Sequence, residues 1–161
     1  MSDKRAFRVL ISDPLAEEGV TYLRDAGAEV VERFDLSHDE LVEEVRSFDA
    51  LIVRSGTKVT SRIIKAGERL RVIGRAGAGL DNIDVSAARA EGIEVRNCPG
   101  ANSVAVAELT IGLVLALARH LTQADDSMKR GKWEKSKFKG WGLQGRTLGI
   151  VGFGRIGREV A

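Results

Sequence analysis

The 161-residue sequence holds a single cysteine, Cys98, and only two histidines, His38 and His120. One thiol excludes an intramolecular disulfide, and two histidines so far apart make no zinc motif, so neither a covalent staple nor a metal is expected. This usage fits a reducing, cytoplasmic location. The N-terminus, MSDKRAFRVLISD, lacks the apolar core and the small-residue cleavage site of a secretory leader. Long hydrophobic runs are missing too. The most apolar stretch, residues 104–118, carries Glu108 and falls short of the roughly 20 residues that cross a bilayer, so no membrane partner is expected. Excess charge of one sign is slight: the net charge is +2, although residues 129–139 hold six basic side chains against one acidic, leaving −3 for the rest. What is present is 43% hydrophobic and 30% charged residues, the composition of a folded globular chain rather than a disordered one.

From residue 7 to residue 97, short β-rich runs alternate with helical patterns, the rhythm of βαβ units around a parallel sheet. Five strands are predicted: Phe7–Ile11, residues 29–34, Ala50–Val53, Val72–Arg75 and residues 93–96. The runs VLI, LIV and VIG within them are unbroken apolar segments, as expected where helices cover both faces of a sheet. The pattern is that of an α/β fold, an open doubly wound layer of flavodoxin type. Ser37 followed by Glu40 makes a capping box, Thr60 and Asp84 are N-cap candidates, and Gly27 and Gly92 stand where helices should end.

Pro99 and Gly100 break the rhythm and mark the predicted boundary between a first domain, residues 1–98, and the opening of a second, residues 99–161. Residues 103–119 then read as a helix about 26 Å long, with Asn102 placed to cap it. That helix is apolar nearly all round and therefore has to be buried between domains or between subunits. Residues 131–145, rich in Lys, Trp and Gly, read as an extended arm, and residues 146–151 as a new strand.

The strand is followed by Gly152-Phe153-Gly154-Arg155-Ile156-Gly157. Alone, a G-x-G-x-x-G pattern is a weak signal, but a preceding strand and a following helix supply the context its mechanism demands. Gly152 permits the tight turn, Gly154 lets the backbone approach a pyrophosphate, and Gly157 lets helix and strand pack closely. In parallel sheets ligands gather beyond the carboxyl ends of the strands. Arg54 and Arg75 end neighbouring elements there, and converging guanidiniums would suit a carboxylate or a phosphate. Surface ion pairs are the plainer account of such arginines. The glycines of Arg75-Ala76-Gly77-Ala78-Gly79 favour a site, because they leave backbone amides uncovered.

The segments LIVRSGTKVT, GRAGAGLDNIDVSAARAEGIEVRNCPGANSVAVAELTIGLVLALAR and MKRGKWEKSKFKGWGLQGRTLGIVGFGRIGREVA resemble the D-isomer-specific 2-hydroxyacid dehydrogenases over essentially the whole chain. RSGTKVT and GKWEKSKFKG lean toward the branch that acts on 3-phosphoglycerate. The resemblance implies that the first domain binds the anionic substrate and that the second opens a Rossmann domain for NAD. It implies substrate contacts at Arg54, Ser55, Arg75, Gly77 and Asn102, and cofactor contacts at Ala78, Gly152, Gly154, Arg155, Ile156 and Gly157. Ala78 departs from a position that is often Thr in the family, so a side-chain hydroxyl contact is lost there. The family's histidine base, its carboxylate partner and its substrate-orienting arginine lie downstream of the fingerprint. None is expected among these residues, and the sequence is read as the N-terminal part of a longer protein, inactive by itself.

The resemblance also implies a homodimer or homotetramer built through the helix at residues 103–119 and the arm at residues 129–145, with Trp133, Phe138 and Trp141 as aromatic anchors. A locally packed arm is the alternative for these rings. A single-strand nucleic-acid site at Lys129, Arg130, Lys132, Lys135, Lys137 and Lys139 rests on one short basic segment and is disfavoured. Two other readings stay open: a sister enzyme acting on glycerate, lactate or another 2-hydroxy acid, and a non-catalytic module that binds a small anion.

Overall fold

The computed structural model describes residues 5–161, which divide between Pro99 and Gly100 into two compact units. The first runs β1 (Phe7–Ile11), α1 (Glu17–Asp25), β2 (Ala28–Glu32), α2 (His38–Glu44), β3 (Ala50–Val53), α3 (Ser61–Ala66), β4 (Val72–Arg75), α4 (Val85–Ala90) and β5 (Glu94–Asn97). All five strands are parallel, in the order β2-β1-β3-β4-β5. This is the flavodoxin-type order.

Chain direction decides which face each helix covers. Right-handed crossovers put α1, which steps back from β1 to β2, on one face, and α2, α3 and α4, which step the other way, on the opposite face. Strand residues alternate accordingly. Leu10, Leu51, Val53 and Ile73 meet Leu41, Val42, Ile63, Ile64 and Ala88 in the larger core, with Phe48 fully buried among them. Val9, Ile11 and Ala50 meet Val20 of α1 in the smaller one. The expectation of helices over both faces therefore holds unevenly. Within the first unit α1 alone covers the second face, and Phe7, Val9, Leu23, Ala50, Ile52 and Val72 line a hollow of about 370 Å³.

Two predicted strands shift. β2 ends at Glu32 rather than reaching Phe34, and β5 runs one residue later than expected, to Asn97. Gly27 and Gly92 follow α1 and α4 with φ of +87° and +71°, the left-handed exit that suits glycine at a helix end. Asp84 caps α4 by accepting from the Ala87 N–H at 2.9 Å. Thr60 occupies the cap position of α3 without a capping bond, because its hydroxyl is engaged by His38 Nε2 at 2.8 Å.

The capping box of α2 forms: Ser37 Oγ accepts from the Glu40 N–H, and the Ser37 N–H donates to Glu40 Oε2 at 2.8 Å. Bonding to the Ser37 side chain and then to its backbone holds the Glu40 carboxyl below its ordinary value. A depressed folded-state value means stabilisation that is complete above the unfolded-chain value of about 4.3 and is lost as the pH falls through the folded one. The gap in urea midpoint between the intact wild-type protein and Glu40→Gln should accordingly shrink from about pH 6 to about pH 3. A gap that stays constant over that range would remove the carboxylate from this account.

The second unit holds α5 (Ser103–Ala118), α6 (Leu121–Lys129) and α7 (Arg155–Val160), with α7 packed on α5. Helix α6 was not anticipated. It leaves α5 through His120 at φ +54°, across a bend of 66°. Asn102 stands at the N-cap position of α5 but makes no side-chain capping bond, contrary to expectation. Only Ser103, Ala107 and Ala118 of α5 are buried, while Leu109, Leu113 and Leu117 are more than half exposed. Among the described residues no single helix is long and apolar enough to cross a membrane.

The strand expected at residues 146–151 does not form. A parallel strand needs a neighbour to take up its N–H and C=O groups. No described strand pairs with this segment, so Val151 is fully exposed.

Candidate functional site

The carboxyl ends of β3 and β4 lie side by side, Val53 in register with Arg75. Arg54 follows β3 directly and Arg75 is the last residue of β4. Both arginines are thus at the predicted end of the sheet, but each guanidinium serves a different loop. Arg54 donates from a terminal nitrogen to the carbonyl of Pro14 at 3.2 Å. Arg75 donates from Nε to Asn82 Oδ1 at 3.2 Å and folds back over Gly77.

Arg75 is the more unusual of the two. Its side chain is only 13% exposed, and its nearest carboxylate, that of the well exposed Asp81, is 3.9 Å away. A guanidinium withdrawn from water without a tight counter-ion is costly, and an anionic ligand relieves that cost. Glycine at position 77 makes the fold-back possible, because a Cβ there would fall on the Arg75 guanidinium, 3.1 Å from Cζ.

The turn carrying Arg54 and Ser55 is tightly held. Asp13, 9% exposed at the end of β1, accepts with Oδ2 from the N–H of Arg54 at 2.6 Å and of Thr57 at 3.1 Å. Asn82 donates from Nδ2 to the carbonyls of Arg54 at 2.7 Å and Thr57 at 2.6 Å. Gly56 sits against the same carboxylate, and a Cβ there would lie 2.6 Å from Asp13 Oδ1. Ser55 is exposed beside them. The loop after β4 is pinned in turn by Asn97, whose Nδ2 donates to the Ala78 carbonyl at 2.6 Å, and by the Cys98 N–H on the Gly77 carbonyl at 2.9 Å.

Asp13, Asn82 and Asn97 were not among the predicted site residues. All three act on backbone groups 19 to 44 residues away in sequence, and no local spacing signals such a contact. Asn102, expected beside these loops, belongs to the second unit and is exposed at the start of α5.

In the second unit the Gly-rich turn meets the demands of its motif apart from the missing strand. Gly152 has φ +94°, Gly154 is the N-cap of α7, and Arg155 and Ile156 form the helix's first turn. A Cβ on Gly157 would collide with the Gly152 carbonyl oxygen, whereas Cβ positions at Gly152 and Gly154 meet nothing within 4 Å. The backbone is therefore open where a pyrophosphate would approach and closed where helix must pack on turn, so the residues present fit a dinucleotide. The arm is tied to its own unit: Ser127 Oγ donates to Glu134 Oε2 at 3.0 Å, and the Trp141 N–H to the Ala118 carbonyl at 2.9 Å. The Ser127 hydroxyl and Lys137 hold the Glu134 carboxyl below its ordinary value, Lys137 contributing most. Trp133 stays 77% exposed.

Taken by class, the first unit is a parallel α/β layer with an under-neutralised arginine at the carboxyl edge of its sheet, and the second carries a dinucleotide-type turn. The sequence profile of the D-isomer specific 2-hydroxyacid dehydrogenase catalytic domain matches residues 9–153, and the chain belongs to that family. It is 54% identical over 154 residues to D-3-phosphoglycerate dehydrogenase of Homo sapiens, an alignment covering 96% of this chain and 29% of that protein. It is 51% identical over 155 residues to hydroxypyruvate reductase of Thermotoga maritima, covering 96% of this chain and 51% of that protein. Among solved structures, the NAD+-bound 3-phosphoglycerate dehydrogenase of Entamoeba histolytica superposes with a TM-score of 0.76 at 37% identity, over 97% of this chain and 49% of that one. The chain thus spans between 29% and 51% of the length of these relatives.

Proposed function

We propose that the intact protein is a cytoplasmic, NAD-dependent D-3-phosphoglycerate dehydrogenase, oxidising 3-phospho-D-glycerate to 3-phosphohydroxypyruvate as the first step of serine biosynthesis. The observation that carries this reading is Arg75: a largely buried cation, 3.9 Å from its nearest carboxylate, at the ligand-binding edge of the sheet. In this reading residues 1–98 form the substrate domain and residues 99–161 open the NAD domain. Arg54 and Ser55 hold one anionic end of the substrate, Arg75 and the Gly77 loop hold the other, and Asn102 borders the ligand. Backbone at Gly152, Gly154, Arg155, Ile156 and Gly157 holds the cofactor pyrophosphate, and Ala78 touches the cofactor through its backbone. When bound, NAD takes up the hydride from the hydroxyl-bearing carbon. The groups that remove the hydroxyl proton lie outside these residues, so this polypeptide by itself gives no steady NADH production. A second copy of the chain covers α5 and the arm, a reading supported by the exposed Leu109, Leu113, Leu117 and Trp133.

Steady-state kinetics of the intact protein test the assignment. A site with a built-in place for the phosphate should favour 3-phosphoglycerate over unphosphorylated D-glycerate by about 100-fold or more in kcat/KM. Equal use of the two would hand the protein to the sister enzymes on glycerate or hydroxypyruvate, and no turnover of any hydroxyacid would leave a binding module.

A further inference from the structure

Two side chains occupy all four backbone groups at the base of the turn that presents Arg54 and Ser55. Asp13 takes the two N–H groups of Arg54 and Thr57, and Asn82 takes their two carbonyls, at 2.7 and 2.6 Å. With its remaining end Asn82 accepts from Arg75 Nε at 3.2 Å. One planar amide thereby joins the loop after β3 to the guanidinium at the end of β4.

The chemistry of this junction leaves little choice of residue. Two donors are needed on one side and an acceptor on the other, which only a carboxamide supplies. Aspartate would keep the acceptor for Arg75 but turn a lone pair toward two carbonyls. Serine would keep one donor and lose the reach to Arg75. Glutamine has the right groups on a longer stem, in a place where 2.6 to 2.7 Å bonds leave no slack.

We infer that Asn82 is a positioning and specificity-determining residue: it sets the separation between the Arg54–Ser55 turn and the Arg75 guanidinium, and so matches the site to a ligand whose two anionic groups lie a fixed distance apart. The inference rests on the reading of this edge as the substrate site. A ligand with one anionic group needs only one of the two contacts and is indifferent to their spacing. A ligand with two needs both, and gains from their being held in advance rather than ordered on binding.

The test uses the intact protein and two substrates, 3-phosphoglycerate and D-glycerate, with wild type, Asn82→Ser and Asn82→Asp. In each variant KM for 3-phosphoglycerate should rise about tenfold with kcat within about threefold, and the preference for the phosphorylated substrate should drop by about the same tenfold factor, the loss of one oriented charged contact. In an Arg75→Ala background, Asn82→Ser should add less than about twofold, because the two act as one unit. A merely structural asparagine would lower kcat/KM for both substrates in proportion and leave the preference intact, which overturns the inference. It is equally overturned if neither variant folds, since Asn82 is then a framework residue. Absence of any phosphate preference in wild type would instead remove the substrate assignment beneath it, so the two failures are read from different proteins.

Discussion

Alanine at position 77 is expected to leave the first unit folded and to weaken the hold on 3-phosphoglycerate by about tenfold to a hundredfold. The added Cβ falls on the guanidinium of Arg75, 3.1 Å from Cζ and 3.6 Å from Cδ. What must move is the far end of a flexible side chain, not backbone. Relief is therefore inexpensive for the fold: the guanidinium swings out, gives up its bond to Asn82 and gains water. Function bears the effect, because the cation then has to be brought back against the new methyl group for every ligand bound. A hydrogen bond between charged partners is worth roughly 1.5–3 kcal/mol, which sets the range given. In the intact protein KM for 3-phosphoglycerate should rise by that factor while the thermal midpoint stays within about 4 °C. An unchanged KM would mean that Arg75 does not touch the ligand from its observed position. A large drop in midpoint would mean that Gly77 serves the backbone instead.

The positions of the strands, the two arginine-bearing strand ends and the capping box were legible because each depends on residues close in sequence or on short apolar runs. Val53 and Arg75 end strands whose cores, LIV and VIG, could hardly be anything else, and Ser37 and Glu40 are three residues apart. The unequal cover of the two sheet faces needed the handedness of each crossover, which becomes visible only once the strand order is known. Helix α6 was missed although its i, i+4 pairs, Asp125 with Lys129 and Asp126 with Arg130, are standard helix support. The strand at residues 146–151 failed for the opposite reason: TLGIV has the local preference, but a strand exists only through pairing, and no described strand pairs with this segment.

The site divides along the same line. Candidate residues came from their place after strands, and that placement holds for Arg54, Ser55, Arg75, Gly77 and Ala78. Side-chain direction was not legible. Arg54 reaches back to the Pro14 carbonyl and Arg75 to Asn82, whose amide in turn holds the Arg54 backbone carbonyl. Asp13 and Asn82 had no such signal. Their partners are backbone groups on other loops, and backbone groups carry no sequence signature.

Replacing Gly56 with alanine is expected to destabilise the first unit by roughly 3 kcal/mol, more than any other single methyl added at this edge. The new Cβ would lie 2.6 Å from Asp13 Oδ1 and 3.5 Å from Cγ. Unlike the arginine that meets Gly77, this neighbour has nowhere to go. The Asp13 carboxylate is buried, short-stemmed, and bonded to the N–H groups of Arg54 and Thr57. Moving it strands a charged acceptor and two donors together, while keeping it forces the turn away from β1. Either way the segment that presents Arg54 and Ser55 loses its fixed shape, so stability and substrate binding should fall together, in contrast to the Gly77 variant. Denaturant midpoints of the intact protein give the stability loss, and a double-mutant cycle gives its cause. With Asp13 already changed to alanine the collision is gone, and Gly56→Ala should then cost less than about 1 kcal/mol. An equal cost in both backgrounds would place the demand for glycine in the backbone of the turn, and the carboxylate would lose its role as the wall against which that turn is built.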